Sequence, residues 1–206
     1  MHFQRDPGID KRAWHNETLR LEEQLDTLIQ LLPPTYLQNI DVLSLESLTP
    51  PSSTSPDEPI SILLNTSLLI QTAAKLFFQA TLRSLSPQTP KARSLNTEII
   101  GYTKQLSPNH LRSAHLWPLF VGAVYSTGDD EERIWFLDQF DIMEEKSQAL
   151  VARGVLTRVK GIVGNVWKRR DLDSDVAVGV IGLEGEDGIG DWEKYVQPLS
   201  DGLSLG

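Results

Sequence analysis

The longest apolar segment of the chain reads ISILLNTSLLIQTAAKLFFQATLR and spans residues 60–83. Its apolar side chains recur at three- and four-residue intervals, which is the period of an α-helix. They cover a wide face of that helix, because Leu64 and Leu68 lie beside the stripe that contains Ile70. A helix that is apolar over so much of its surface packs against several neighbours. The segment therefore predicts a helix at the centre of an all-α bundle.

Five further segments have the same period, at residues 21–32, 95–106, 111–124, 131–140 and 151–170. Asn16 is a suitable N-cap for the first of these helices, and Pro33-Pro34 ends it. Pro118 predicts a kink in the helix that contains it. The bases Lys168-Arg169-Arg170 predict a solvated helix end, where positive charge complements the helix dipole. The prediction is an all-α, multi-helix bundle of about six helices.

Two segments depart from this helical composition. Residues 171–206 contain nine acids, one base and seven of the 14 glycines, so their net charge is −8 against −1 for residues 1–170. Like charge and glycine predict a flexible acidic tail, and a short helix near 190–197 stays open. Residues 48–59, LTPPSSTSPDEP, hold four of the 12 prolines and predict an exposed flexible loop. The predicted organisation is a helical domain over 1–170 and a tail over 171–206.

The composition excludes several kinds of chemistry. The chain has no cysteine, which rules out disulfides, thiolate zinc sites and cysteine nucleophiles. It has no HExxH, P-loop, GxGxxG or GxSxG pattern. His110 and His115 do not have the spacing of a zinc helix, and His115 is expected to be packed or at a boundary. The acids Asp129–Glu132 suit the positive end of a helix better than a cation site. We therefore expect no catalytic residues, no metal and no cofactor.

The charge and hydropathy of the chain also bear on its partners. A net charge of −9 argues against direct binding to nucleic acid. No stretch approaches the roughly 18 apolar residues that a membrane helix needs. The first residues, MHFQRDP, lack the apolar segment of a secretory signal. We expect neither a membrane nor DNA as a direct partner.

Serine or threonine precedes proline at five places: Thr49, Ser55, Ser86, Thr89 and Ser107. Thr49 and Ser55 are the candidate phosphorylation sites, because an added charge disturbs little in the predicted flexible loop. For Ser86 and Ser107, a helix-cap role explains the dipeptide without a kinase.

The order of several motifs resembles that of a known family. Residues 115–123, HLWPLFVGA, resemble the "LWPLF…G" helix of the fungal-specific transcription factor regulatory domain. Residues 127–137, TGDDEERIWFL, resemble its "t.d.edR.w.l" helix, and the VWKRRD end of residues 155–171 resembles its final helix. Asp191-Trp192 resembles its "dW" close. The resemblance covers most of residues 14–195, and the signature and core residues that it implies are Trp117, Pro118, Phe120, Arg133, Trp135, Val166, Trp167, Asp171 and Trp192.

The resemblance implies an all-α regulatory domain of a nuclear transcription regulator, with no catalytic residues. In that family the domain lies C-terminal to a zinc cluster held by six cysteines. Because this chain has no cysteine, we expect no sequence-specific DNA binding by the chain itself. A C-terminal fragment, a truncated gene product and a descendant without the DNA-binding part all fit. The expected partners are proteins, either co-regulators or further copies of the chain, and the sequence names no small-molecule effector.

Three functions stay open on these grounds. The favoured one is a transcription-regulator module whose helices mediate self-association, co-regulator contact or effector sensing. Its acidic tail either contacts the transcription machinery or only keeps the chain soluble. The second is a helical adaptor that binds a protein partner and has no transcriptional role. The third is an enzyme or small-ligand receptor with a closed pocket among Trp117, Trp135 and Trp167. Core packing is the favoured role of these three tryptophans.

Overall fold

The computed structural model describes residues 11–28, 58–83, 85–106, 108–127, 130–146 and 150–177. Every regular element within these ranges is helical, which confirms the all-α prediction. The α-helices are α1 (Lys11–Asp26), α2 (Glu58–Leu82), α3 (Pro90–Gln105), α4 (Leu116–Tyr125), α5 (Asp130–Lys146) and α6 (Leu150–Ala177). Two 3-10 turns, Pro108–His110 and Ser113–His115, connect α3 to α4.

The core forms around α2 and α4. Helix α4 is buried at every position from Pro118 to Tyr125, and it contacts α2, α3, α5 and α6. Helix α2 packs against α1, α3 and α4, as its wide apolar face predicts. The following core side chains are at most 1% exposed: Leu69, Leu76, Ile99, Leu119, Val121, Phe136, Phe140, Val163 and Val166.

A glycine allows α5 to approach α4 closely. A Cβ atom added at Gly122 would lie 2.7 Å from Cζ of Phe136 and 3.0 Å from Oδ1 of Asn96. Real Cβ atoms do not come this close to ring carbons. The missing side chain of Gly122 therefore leaves the space that the Phe136 ring occupies in the core.

Three helix starts differ from their predictions. The helix expected over 111–124 begins at Leu116, after the two 3-10 turns. Helix α1 begins at Lys11, so Asn16 lies within it and is not its N-cap. The reason is that Trp14 and Thr18 extend the helical spacing of Leu21 and Leu25 towards the N-terminus. The first helical residue of α2 is Glu58, so the last two residues of the predicted loop 48–59 belong to that helix. Proline is tolerated in a first turn, where backbone N–H groups lack intrahelical acceptors.

Two further predictions about helix geometry are wrong. Pro118 is the third residue of α4, where it fits a first turn and causes no mid-helix kink. Helix α6 continues to Ala177, beyond its predicted end at Arg170. Residues 171–177, which were assigned to the tail, are therefore helical. Arg170 and Asp171 of α6 form contacts with α4 and α5, which are described below.

Several predictions fall outside the described residues. They concern the end of the first helix at Pro33-Pro34, the loop with Thr49 and Ser55, and the tail with Trp192 and its helix near 190–197.

One helix contradicts the expectation that no stretch of the chain is long and apolar enough for a membrane helix. Ile60–Leu82 of α2 is long and apolar enough to cross a membrane by length and composition, with a mean hydropathy of 1.4. A mostly buried core helix of a soluble protein meets the same criterion, whereas 28% of this segment is buried. In this fold α2 lies between three other helices. Its polar residues Gln71, Lys75 and Gln79 bind α1.

Candidate functional site

Side chains of α6 cap the C-terminal end of the buried helix α4. The indole Nε1 of Trp167 donates a hydrogen bond to the carbonyl oxygen of Ala123 at 2.8 Å. The guanidinium of Arg170 donates to the carbonyl oxygens of Val124 at 2.9 Å and Ser126 at 3.2 Å. The last carbonyls of a helix have no intrahelical donor, and they attract positive charge. Arg170 therefore supplies donors to the carbonyls of Val124 and Ser126, and Trp167 adds a second donor to the carbonyl of Ala123, which also accepts from the backbone N–H of Ser126 at 3.2 Å.

Helix α5 holds this cap in place through Arg133. Its guanidinium donates two hydrogen bonds of 2.7 Å to the two carboxylate oxygens of Asp171. The same guanidinium lies 5.3 Å from the centre of the Trp167 ring, which is a cation–π distance. The hydrogen bonds from Arg133 keep the pKa of Asp171 below its ordinary value, although burial opposes this. Arg133, Trp167 and Asp171 form one cluster, here called the α5–α6 cluster.

The resemblance named these three residues among its signature and core residues, whereas Arg170 lies in the quoted VWKRRD segment but was not named among them. The predicted solvated end, Lys168-Arg169-Arg170, is wrong for its last member, because Arg170 is 8% exposed while the other two are exposed. A signal was present in the sequence. Arg170 continues the stripe of Val163, Val166 and Trp167 at helical spacing, so it occupies a core position.

The other signature residues lie in different surroundings. Pro118, Phe120 and Val166 are buried, as core residues are expected to be. Trp135 is half-buried, with its ring 5.0 Å from that of Phe136 and the ammonium of Lys104 5.7 Å above it.

Trp117 is 39% exposed, so the core role favoured for it is wrong. Its ring meets Phe77 edge-on at 6.1 Å. The sequence alone could not show that Trp117 is exposed, because Trp117 and its neighbour Pro118 on α4 point to different sides of the helix.

The three tryptophans do not line a common pocket. Each has different neighbours: Phe77 for Trp117, Phe136 for Trp135, and Arg133 for Trp167. A crevice of about 270 Å³ lies between α1, α2 and α3, and none of the three tryptophans borders it. Within the part of the chain that the structure describes, no group of three or more metal-ligating side chains occurs.

His115 is buried between the second 3-10 turn and α2. It is 2% exposed, which confirms that it is a packed histidine. Its Nδ1 accepts a hydrogen bond from the backbone N–H of Arg112 at 2.8 Å, so the ring proton of the neutral form lies on Nε2. Nε2 then donates to Oγ1 of Thr66 at 3.0 Å. Burial lowers the pKa of His115, because the charged form loses its hydration.

Two rows of apolar side chains remain on the surface of α1 and α2. Trp14 and Leu21 of α1, and Leu28 two residues after its end, recur every seven residues and are 48%, 41% and 50% exposed. Leu63 and Ile70 have the same interval on α2 and are 42% and 37% exposed. Residues seven apart lie on one face of a helix. These two sets are called the α1 row and the α2 row.

A family model described as the fungal specific transcription factor domain matches residues 4–206. The chain belongs to this family. The chain matches no curated protein and no solved structure. Proteins with this fungal transcription factor domain are transcription regulators with a role in the nucleus, and the family is in general not enzymatic.

The match to the fungal transcription factor domain family includes every segment whose sequence resembles the family's motifs. The match extends over both helices of the α5–α6 cluster and over α4, whose end that cluster caps. In this member of the family, Arg133, Trp167 and Asp171 come from separate motifs and meet in space. They stabilise the packing of α4, α5 and α6, and no reacting group lies among them.

Proposed function

We propose that this chain is a transcription-regulator module that acts by binding other proteins and catalyses no reaction. Its membership in the fungal transcription factor domain family carries the proposal. The geometry of the signature residues supports it. Arg133, Trp167 and Asp171 are used in packing and in capping α4, so they are not arranged around a substrate.

The α1 and α2 rows support protein binding. Large apolar side chains at 37–50% exposure lie at seven-residue intervals along two helices that pack against each other, and contiguous exposed apolar surface typically marks contacts with other proteins. A tryptophan among them is the kind of residue that anchors an interface. The partner we propose is a co-regulator protein that covers these rows with an apolar surface of its own.

The absence of cysteine supports an indirect route to DNA. The 206 residues cannot supply the thiolates of the family's zinc cluster, and their net charge is −9. Phosphate binding needs positive charge, so an acidic chain is poorly suited to it. In this proposal the 206 residues work in the nucleus and do not contact DNA themselves.

The experiment fuses the full 206-residue chain to an unrelated DNA-binding domain in fungal cells that carry a matching reporter gene. We expect reporter output to change relative to the DNA-binding domain alone. Leu21→Glu and Ile70→Glu should abolish the change, because a charge in either row opposes apolar contact. Ile134→Glu is the matched control, because Ile134 is 58% exposed on α5, away from both rows.

A well-expressed fusion without any effect on the reporter would contradict the proposal. In that case the helical adaptor without a transcriptional role becomes the better explanation. Chromatin immunoprecipitation of the chain separates the two functions, since only the regulator is expected at promoters. Equal effects of Leu21→Glu and Ile134→Glu would leave the regulator role intact but exclude the two rows as its contact surface.

A further inference from the structure

Ser86 lies in the connection between α2 and α3 and was expected to cap a helix, but Thr89 has that role. Thr89 is the N-cap of α3, and its Oγ1 accepts a hydrogen bond from the N–H of Ala92 at 3.3 Å. The Ser86 hydroxyl is exposed and accepts from the N–H of Gln88 at 3.4 Å. The helix-cap explanation for Ser86 is therefore wrong, because Thr89 performs that role. Ser86 keeps an accessible hydroxyl in front of Pro87.

Cations on both sides of this connection hold α1 in place. Glu22 of α1 forms an ion pair with Arg83, just before the connection, at 2.7 Å. The other carboxylate oxygen of Glu22 lies 3.6 Å from Lys91, in the first turn of α3. Gln79 of α2 also donates to Glu22. This single carboxylate thus ties α1 to the end of α2 and the start of α3.

We propose that Ser86 is a phosphorylation site, and that a phosphate there loosens α1 by competing with Glu22 for Arg83 and Lys91. The modifying enzyme is a proline-directed protein kinase that uses ATP. Oγ of Ser86 forms a bond with the γ-phosphorus, the bond from that phosphorus to the β–γ bridging oxygen breaks, and ADP leaves. The hydroxyl proton passes to the catalytic base of the kinase.

The charge balance favours the phosphate over Glu22. A phosphoserine carries about −1.5 to −2 charges at pH 7 and three strong acceptor oxygens, against one charge for a carboxylate. Ser86 is the third residue after Arg83. The N–H of Thr89 donates to the carbonyl oxygen of Ser86 at 3.1 Å, and this turn keeps Ser86 next to the first turn of α3 with Lys91. The phosphate and Glu22 also repel each other.

The kinase must open a short turn to reach the site. Pro87 is buried, whereas Ser86 and Gln88 on either side of it are exposed. The turn is held by the N–H and hydroxyl of Thr89, which both donate to the Ser86 carbonyl. Surface turns with so few bonds open locally at a small fraction of the cost of global unfolding. This inference concerns the attachment of α1, and it stands or falls independently of the proposed function.

The test treats the folded 206-residue chain and its Ser86→Ala variant with a purified proline-directed kinase and ATP. Tandem mass spectrometry locates the phosphate, and hydrogen–deuterium exchange follows the amides of α1. We expect phosphate on Ser86 and about tenfold faster exchange in α1, the effect of losing one charge-assisted contact. The Ser86→Ala variant should show no such increase after the same treatment.

Two further variants make the result specific. Ser86→Glu should raise α1 exchange without a kinase, and Thr97→Glu should not, because Thr97 is exposed on α3 and its position is not a helical neighbour of Lys91. In a Glu22→Gln background, exchange in α1 should already be fast, and phosphate should add less than about twofold. A folded chain that acquires no phosphate on Ser86 would overturn the proposal. So would phosphate that leaves α1 exchange unchanged, or that raises it equally with and without Glu22.

Discussion

Arg133 and Asp171 form a two-bond ion pair, 2.7 Å in each bond, across the interface between α5 and α6. The pair is asymmetric in its surroundings, since the side chain of Arg133 is 12% exposed and that of Asp171 is 53% exposed. The buried guanidinium lies on Trp167, which in turn binds the end of α4. Asp171 thus positions Arg133, and Arg133 supports the indole that caps the central helix.

Removing Arg133 should cost more stability than removing its partner. Arg133→Ala loses both hydrogen bonds and the packing on Trp167, so we expect about 2 kcal/mol less free energy of unfolding. Asp171→Asn should cost about 1 kcal/mol or less, because water screens an exposed carboxylate. Urea denaturation measures both. Lys168→Ala is the control, an exposed base on the same helix that should change stability by less than about 0.5 kcal/mol. If Arg133→Ala lowers the free energy of unfolding as little as the Lys168→Ala control does, the α5–α6 cluster has no role in packing.

Trp167 contributes both volume and one hydrogen bond, and two substitutions separate them. Trp167→Ala should reduce the free energy of unfolding by about 3–5 kcal/mol, because it empties a core position. Trp167→Phe keeps most of the ring but removes one of the two donors to the Ala123 carbonyl, which still accepts from Ser126 N–H, so it should cost about 0.5–1.5 kcal/mol. Trp14→Ala is the matched control, since Trp14 is 48% exposed. Equal losses for Trp14→Ala and Trp167→Ala would show that α6 does not pack as described.

Gly122 and Gly161 should respond in opposite directions to the same added methyl group. Gly122→Ala places a Cβ against the Phe136 ring, and we expect a loss of about 1–3 kcal/mol in the free energy of unfolding. Gly161 lies on an exposed part of α6 with no atom within 4 Å of an added Cβ. Gly161→Ala should therefore stabilise the protein by up to about 1 kcal/mol, from helix propensity alone. Thermal or urea denaturation of the pair measures the difference. A stabilising Gly122→Ala would mean that α5 lies farther from α4.

The buried His115 should make stability depend on pH near neutrality. Its pKa in the folded chain is below the ordinary value of 6.5, because burial disfavours the charged ring. The unfolded chain therefore binds the proton more readily, and this contribution to stability is complete above pH 6.5 and declines as the pH falls below it. Urea midpoints at neutral and mildly acidic pH should show the loss.

The variant His115→Asn tests this origin of the pH dependence. Its side-chain oxygen can accept the Arg112 N–H but does not titrate, so the dependence below pH 6.5 should become shallower. Asp171 and Glu22 contribute in a lower window. Their pKa values are depressed by Arg133 and Arg83, so their stabilisation is lost as the pH falls below the ordinary carboxyl values of 3.8 and 4.5. An unchanged slope in His115→Asn would assign the neutral-pH dependence to other groups.

Part of this architecture could be read from local sequence. The spacing of Leu95, Ile99 and Leu106 predicted a helix that the structure places at Pro90–Gln105. The acids Glu131 and Glu132 were expected in a first helical turn, and they lie in the first turn of α5. Both signals are local, because helical period and dipole depend on residues within a few positions of one another.

Other predictions failed where a long-range contact decided the outcome. Ile134 lies in the segment 131–140, whose apolar residues follow the helical period, and it is nevertheless 58% exposed. Arg170 was expected in solvent and caps a helix that lies 44 residues earlier in the chain. The sequence indicated the residues of the α5–α6 cluster only as parts of separate motifs, because it does not show that Arg133 contacts Asp171.

The sequence by itself determined the helical class of the described chain, the approximate places of its helices, and its family. These follow from period, turn residues and motif order, which are properties of neighbouring residues. The tertiary structure decided which polar side chains became internal and which apolar ones stayed exposed. Arg170 became buried because the free carbonyls of Val124 and Ser126 need a donor, and Trp117 stayed at the surface because α4 turns its other faces to its neighbours. Burial depends on what packs opposite each residue, and that partner lies far away in the chain.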